Sequence, residues 1–391
     1  MRIDTRLSER LRKINPSSTL AITSKAKKLR SEGVDVVTLA AGEPDFDTPD
    51  YIKDAAILAI KEGFTKYTPS TGTAELKDAI ARKFKKDNGL DYTPSQVVIS
   101  DGAKHSIFNA LFVLVNKGEE VLIPSPYWVS YPEMVKLCEG TPRFIPTLAS
   151  DKFKINIKEL EKYASSKSKV LILNSPSNPT GCVYTKEELE HIAKFCIQKK
   201  IFVISDEIYE KIIFDNIKHT SIASLGKAIF NLTITVNGLS KSHSMTGWRI
   251  GYLAGPQDVV DNISKLQDHS TSNPCSISQK AALAALKGND DFPKYMCSEF
   301  QKRRVYCFER LSKIKKIVPI LPEGAFYMFS DISKTKLDSV AFATRLLDEA
   351  KVAVIPGDGF GNNKFIRISF AAGIEQLKKG MDRIEEWVNK L

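Results

Sequence analysis

The chain has 391 residues, 42% of them apolar and 26% charged, with a formal net charge of +11. That length allows two domains with an ample core, and the composition is ordinary for a soluble globular protein. No run of about 18 apolar residues occurs, which speaks against a membrane span. The lysines are spread over helical patterns such as ELKDAIARKFKKDNG, so the basic excess reads as a solvated surface and not as a nucleic-acid face.

The first stretch, MRIDTRLSERLRKIN, is Arg-rich but carries Asp4 and Glu9 and lacks an apolar core. It reads as part of the mature protein, not as a signal or transit peptide. Further on, short apolar runs alternate with amphipathic stretches. The expected strands are QVVIS (96–100), EVLIP (120–124), KVLIL (169–173), IFVIS (201–205) and LTITV (232–236). Helical patterns such as HSIFNALFVL and KEELEHIAKFCIQKK lie between them, which predicts βα units and a mainly parallel sheet. After about residue 290 the character changes to a charged helical pattern, FQKRRVYCFERLSKI. Short strand candidates AFYMF, VAVIP and FIRIS and a closing amphipathic helix follow. The expected division is an N-terminal arm with part of a small domain (1–45), a large domain (46–290) and a small α+β domain (291–391). Cysteines 138, 182, 196, 275, 297 and 307 show no metal-ligand or disulfide spacing, so no metal and a reducing cytoplasm are expected.

Each central strand ends in unusual polar residues: DGAK, SPYW, NSPSNPTG, DEIY and NGLSK. Ligands of open α/β sheets bind beyond the carboxyl ends of the strands, so these five ends point to one pocket. Gly102 and Ala103 precede a helical pattern and offer amides to a phosphate, although an ordinary strand-to-helix turn reads the same way. Neither a P-loop nor GxGxxG is present. Asp206 follows an apolar strand, where a carboxylate needs a cationic partner such as a protonated pyridine nitrogen, or else serves as an N-cap. Tyr209, three residues on, can donate to a phenolate oxygen. Asn178, in a proline-stiffened loop, can reach the same oxygen or a substrate carboxylate, or is plain turn chemistry. Lys241, in NGLSKSHSMTGWRIG, becomes nucleophilic if a dry pocket and neighbouring cations lower its pKa. Arg249 offers a forked donor to a phosphate. Trp128 or Tyr127 can cover an aromatic ring, or Trp128 packs in the core. A Schiff-base lysine, an anion for a ring nitrogen, a phosphate cup and a covering aromatic are what pyridoxal 5′-phosphate requires.

With these residues in view, the sequence resembles the class I aminotransferases of the fold-type I pyridoxal-phosphate superfamily, nearest to the aspartate aminotransferase branch called subgroup I-beta. The likeness runs from NPSSTLAI (15–22) to the last helix. It rests on AGEPDFDTP (41–49), KYTPSTG (66–72), GAKHS (102–106), SPYWVSYPEM (125–134), SPSNPTG (175–181), SDEIYE (205–210) and GLSKSHSMTGWRIG (238–251). The resemblance implies an α/β fold: a large domain with a mainly parallel sheet in α/β/α layers plus a smaller α+β domain. It also implies pyridoxal phosphate as cofactor, amino acids and 2-oxo acids as substrates, and a homodimer with shared sites. By the same resemblance Lys241 bonds the cofactor and shuttles protons, Asp206 pairs with the ring nitrogen, and Tyr209 and Asn178 contact the phenolate. Ala103, Lys104, Ser240 and Arg249 hold the phosphate, with Tyr67 reaching that of the neighbouring subunit. Arg367 clamps the substrate α-carboxylate, Gly42 and Trp128 line the substrate, and Lys104 receives a distal carboxylate. Two departures stand out. Gly238 replaces a phosphate-binding serine, and Asn15 stands where prephenate-using relatives often carry lysine, although Thr19 and Lys104 fit those relatives. The implied activity is aspartate:2-oxoglutarate amino transfer. Aromatic, alanine or prephenate transamination, a carbon–sulfur β-lyase, or a cofactor-binding regulator are the alternatives.

Overall fold

The computed structural model describes residues 8–15 and 18–391, with side chains given from residue 22 onward in the second stretch. The first seven residues of the expected arm and the side chain of Thr19 therefore lie outside the described residues. All five expected central strands form, and they join two more in a seven-stranded sheet. Its order is Val97–Ser100, Gly251–Ala254, Thr233–Gly238, Phe202–Asp206, Ser168–Asn174, Glu120–Ser125, Thr141–Pro146. Only Gly251–Ala254 runs antiparallel to its neighbours; the remaining pairs are parallel.

Both faces of this sheet are buried, which is why its strands read as continuous apolar runs. Val98, Ile123, Ile172, Ile204 and Ile234 pack on one side with Ile107, Leu111 and Ile263 of the helices Ala103–Leu114 and Gln257–Asp268. Leu122, Leu171 and Val203 face the other way, against Leu189, Ile192 and Cys196 of Lys186–Lys199. That helix starts at a reciprocal cap: Thr185 Oγ1 accepts from the Glu188 amide at 3.3 Å, and Glu188 Oε2 accepts from the Thr185 amide at 2.7 Å.

A second core gathers Val37 and Leu39 with Phe300, Phe326, Phe329, Leu346, Ile366, Met381 and Ile384. Its four-stranded antiparallel sheet runs Ile355–Pro356, Phe365–Ser369, Tyr327–Asp331, Val318–Pro319. The expected strand VAVIP divides here. Val352–Ala353 pairs in parallel with Val37–Thr38, whereas Ile355–Pro356 pairs with Phe365–Ser369. AFYMF is also shifted: its strand begins two residues later, at Tyr327. The long helix Asp291–Ser312 and the closing helix Ile374–Lys390 cover this core. Residues 36–40 therefore belong to the second core, and the chain then turns along the strand ends of the first sheet. Among the described residues no helix is long and apolar enough to cross a membrane.

Candidate active site

A cavity of about 520 Å³ opens where the carboxyl ends of the parallel strands face residues 38–43 and Arg367. Gly42, Ala103, Lys104, Trp128, Asn178, Asp206, Tyr209, Ser240, Lys241, Arg249 and Arg367 all line it. Of the expected site residues only Tyr67 does not; it is 91% exposed. Tyr127 is also elsewhere, stacked on Phe144 with ring centroids 4.8 Å apart, so of the two ring-covering candidates Trp128 is the one that lines the cleft.

Lys241 follows the strand Thr233–Gly238 and donates to the Gly42 carbonyl at 2.6 Å. Burial lowers its pKa to about 8, with Arg367 and Arg249 pushing the same way and Glu43 and Asp206 opposing them. Asp206 ends the adjacent strand and is 4% exposed. Its Oδ2 accepts the Tyr131 hydroxyl at 2.6 Å and its Oδ1 accepts the Ile208 amide at 3.3 Å. Burial raises its pKa to about 6, against the pull of the Tyr131 hydrogen bond. The amide bond to Ile208 is the turn-capping role the sequence left open, but among the described residues no cationic side chain bonds the carboxylate. Tyr209 lies on a turn, and its hydroxyl meets that of Tyr327 at 2.8 Å.

At the other end of the cleft, helix Ala103–Leu114 begins after Gly102, whose φ is +88°. The His105 and Ser106 amides already bond the Gly102 carbonyl, and the amides of Ala103 and Lys104 open the helix toward the cleft. A Cβ on Gly102 would strike the Arg249 guanidinium, and one on Gly251 would strike the Ala103 backbone. The glycines thus let a cation and two helix-end amides converge. Arg249 itself holds a left-handed φ of +53°, an uncommon conformation for a side-chain-bearing residue. Gly238 has a local cause: a Cβ there would lie 3.1 Å from Ile208 Cδ1 and 3.2 Å from Gly251 Cα. Lys104 Nζ lies 4.9 Å from the centre of the Trp128 ring, and burial, then Arg249, lower its pKa.

Arg367 is 4% exposed. Its Nη1 donates to Asn178 Oδ1 and its Nη2 to the Ala40 carbonyl, each at 3.0 Å. Its Nε is buried without a partner. The guanidinium lies 4.2 Å from the centre of the Tyr327 ring. Among the described residues no carboxylate pairs with Arg367, nor with Lys104, Lys241 or Arg249.

Sequence reasoning missed Tyr131, Tyr327, Asn174 and Glu43. Asn174 donates to the Asp206 carbonyl at 2.9 Å and accepts the Asn178 amide at 2.8 Å, tying two strand ends together. Glu43 accepts from Thr246 at 2.7 Å across the cleft mouth. All four stood inside quoted stretches, SPYWVSYPEM, AFYMF, NSPSNPTG and AGEPDFDTP, but none was given a role there.

The donor set fits pyridoxal phosphate: a lysine amine near neutrality, a buried carboxylate short of a cation, a phenol, and amides with a guanidinium shaped for a phosphate. A fold-type I enzyme of this kind is what the sheet, the second core and the cleft define. The sequence pattern of the family described as aminotransferase class I and II matches residues 34–384, and the chain belongs to that family. It is a pyridoxal 5′-phosphate-dependent transaminase. An aspartate aminotransferase from Bacillus sp. (strain YM-2) is 48% identical, covering 98% of this chain and 99% of that one. A probable aspartate/prephenate aminotransferase from Aquifex aeolicus (strain VF5) is 45% identical over 98% and 99%. The structure of the aspartate aminotransferase from Thermus thermophilus with maleate superposes with a TM-score of 0.93 at 39% identity, covering 98% of this chain and all of that one.

Proposed function

We propose that the chain is a homodimeric, cytoplasmic aspartate:2-oxoglutarate aminotransferase with the divisions 1–45, 46–290 and 291–391. The observation that carries the substrate reading is Arg367, a buried guanidinium with an idle Nε and no carboxylate partner. A buried cation requires an anion, and a planar fork suits an α-carboxylate. Lys104, desolvated over Trp128, supports a second carboxylate on the substrate. The Thermus relative was solved with maleate, a dicarboxylate, which supports the same choice.

When bound, pyridoxal phosphate supplies an aldehyde and an electron-accepting ring. Lys241, as a neutral amine, would hold that aldehyde, and once freed by the substrate amine it would take the substrate Cα proton and hand it back within the same site. Asp206 holds a proton on the ring nitrogen, which its burial and lack of a cationic partner equip it to do. Tyr209 and the Asn178 amide donate to the ring oxygen. Ala103, Lys104, Ser240 and Arg249 hold the phosphate, and the exposed Tyr67 serves the neighbouring subunit.

Prephenate use is the weaker reading. Asn15 is turned to Glu133, donating its backbone amide at 3.1 Å. The cavity of about 410 Å³ that Asn15 shares with Lys104 is lined by Glu133 and Asp358, which repel a further carboxylate. The test is a donor panel on purified protein, following bound-cofactor absorbance with aspartate, glutamate, phenylalanine, tyrosine and alanine, then prephenate as acceptor. Fast conversion by the two acidic donors alone supports the reading. Faster conversion by aromatics keeps the chemistry and overturns the substrate, and no conversion by any donor overturns both.

A further inference from the structure

Behind the cleft lies a buried charge cluster with no part in the chemistry described so far. In the turn Asp206–Lys211, Asp206 and Tyr209 line the cleft, whereas Glu210 and Lys211 line a separate cavity of about 490 Å³. Glu207, 1% exposed, lines neither. Its Oε1 accepts the hydroxyls of Ser205 at 2.9 Å and Ser221 at 2.6 Å. Its Oε2 accepts from His219 Nε2 at 2.9 Å and from Asn88 Nδ2 at 3.3 Å. Asn88 Nδ2 also donates to Glu210 Oε2 at 2.7 Å, while Lys83 pairs with the other Glu210 oxygen. Lys83 Nζ closes the set by donating to Asn88 Oδ1 at 2.7 Å.

Glu207, Glu210 and His219 present ligand atoms within 4.8 Å of one another, a spacing that a metal ion could use. Here, however, their oxygens are taken by serine, amide, ammonium and imidazole donors, so the cluster neutralises itself. Burial would raise the Glu210 pKa, but Lys83 and then His219 override it and hold it at about 2. His219 is raised by Glu207 against its own burial. Two carboxylates therefore face the Lys83 ammonium and the His219 ring, with Asn88 touching both carboxylates and the lysine and Asp87 lying 3.8 Å from Lys83.

We propose that Asn88, Lys83 and His219 form a clamp that positions Asp206 and Tyr209 against the cofactor by gripping Glu207 and Glu210. The inference rests on the reading of Asp206 and Tyr209 as cofactor contacts. The backbone holds this turn by few bonds: the Asp206 carbonyl accepts from Ser175 N at 3.2 Å, Glu207 N donates to the Val236 carbonyl at 2.9 Å, Glu210 N to Glu207 at 3.0 Å, and Ile212 N to Tyr209 at 2.8 Å, so beyond Glu207 only turn-internal bonds remain. Fixing the side chains at 207 and 210 fixes the dihedrals between them, and with those the directions of 206 and 209. Asn88 suits the task because it ends the helix Ala74–Asn88, which Gly89 closes with a left-handed φ of +68°.

The experiment compares wild-type holoenzyme with Asn88→Ala and His219→Gln. It measures kcat and KM for aspartate, the absorbance of bound cofactor against pH, and the melting temperature. For Asn88→Ala the expected result is a fall in kcat of about ten-fold or more, with KM within about three-fold, since small misplacements of catalytic groups are costly. The pH midpoint of the cofactor absorbance is expected to move as well. His219→Gln keeps Asn88 and Lys83 in place and is expected to show a smaller fall in kcat with the same displacement; it carries the test if Asn88→Ala does not fold. A lower melting temperature with kcat and the absorbance midpoint unchanged overturns the clamp. Failure of the wild-type protein to bind cofactor or transaminate overturns the underlying reading instead.

Discussion

Among the described residues two arginines are almost wholly buried, Arg304 at 2% exposed and Arg367 at 4%, and each leaves its Nε without a partner. Both also lie against aromatic rings, Arg304 at 4.9 Å from the centre of Phe214 and Arg367 at 4.2 Å from that of Tyr327. They differ in one respect. Arg304, on the long helix of the second core, forms a two-pronged pair with Asp215, whereas Arg367, at the cleft, meets only an amide oxygen and a backbone carbonyl. Arg304 brings its counter-ion with the fold. Arg367 has none, and the cost of leaving it so is relieved when an anion arrives. The lesson is that burial of a cation does not mark a site; burial without an internal anion does.

The comparison yields consequences of decreasing size. Lys241, another cleft cation without an acidic partner, is the proposed reacting amine, so Lys241→Ala should reduce turnover to background while the protein still folds. Appreciable transamination by that variant would remove Lys241 from the centre of the account. Arg304→Ala should cost about 2–4 kcal/mol of stability through the lost pair and the cavity left behind, with KM for aspartate unchanged. Denaturant unfolding beside steady-state kinetics checks this, and a raised KM would blur the distinction between the two arginines. Lys104→Gln should lower kcat/KM for aspartate by about ten-fold or more relative to alanine, as loss of a charge-assisted contact does. Equal losses for both donors would mean that Lys104 does not read the distal carboxylate.

The smallest effect concerns protonation. The folded pKa of Lys241, about 8, lies below that of a free lysine, and only the neutral amine attacks an aldehyde. Cofactor uptake by the cofactor-free protein should therefore rise about ten-fold per pH unit below 8 and level off above it. A flat profile from about pH 6 to 9 would show that the amine is not held as described.

Much of this was legible in the sequence because apolar β-branched runs ended abruptly in Asp, Asn, Lys and Trp. The strand Thr141–Pro146 was not, since TPRFIP sits at the sheet edge, mostly exposed, with two prolines. Gly251–Ala254 was hidden by being four residues long and antiparallel. Asp206 and Lys241 stood in distinctive local settings, whereas Arg367 came only through the family resemblance. The partners of the site did not, because Tyr131 meets Asp206 across 75 positions and Tyr209 meets Tyr327 across 118. Such pairings follow from which strand ends lie side by side, and spacing along the chain carries no trace of them. Asn88 and His219 were silent for the same reason: each reads as an ordinary helix-end or loop residue until the turn is packed against it.

The central claim, that Arg367 waits for an α-carboxylate, can be tested by one ratio. It is kcat/KM for aspartate divided by that for 3-aminopropanoate, the same skeleton without the α-carboxylate, in wild-type protein and in Arg367→Ala. The account predicts a large ratio in the wild type that collapses by about 30-fold or more in the variant, as expected for loss of a buried charge-assisted pair. A ratio that is unchanged by the substitution would contradict it.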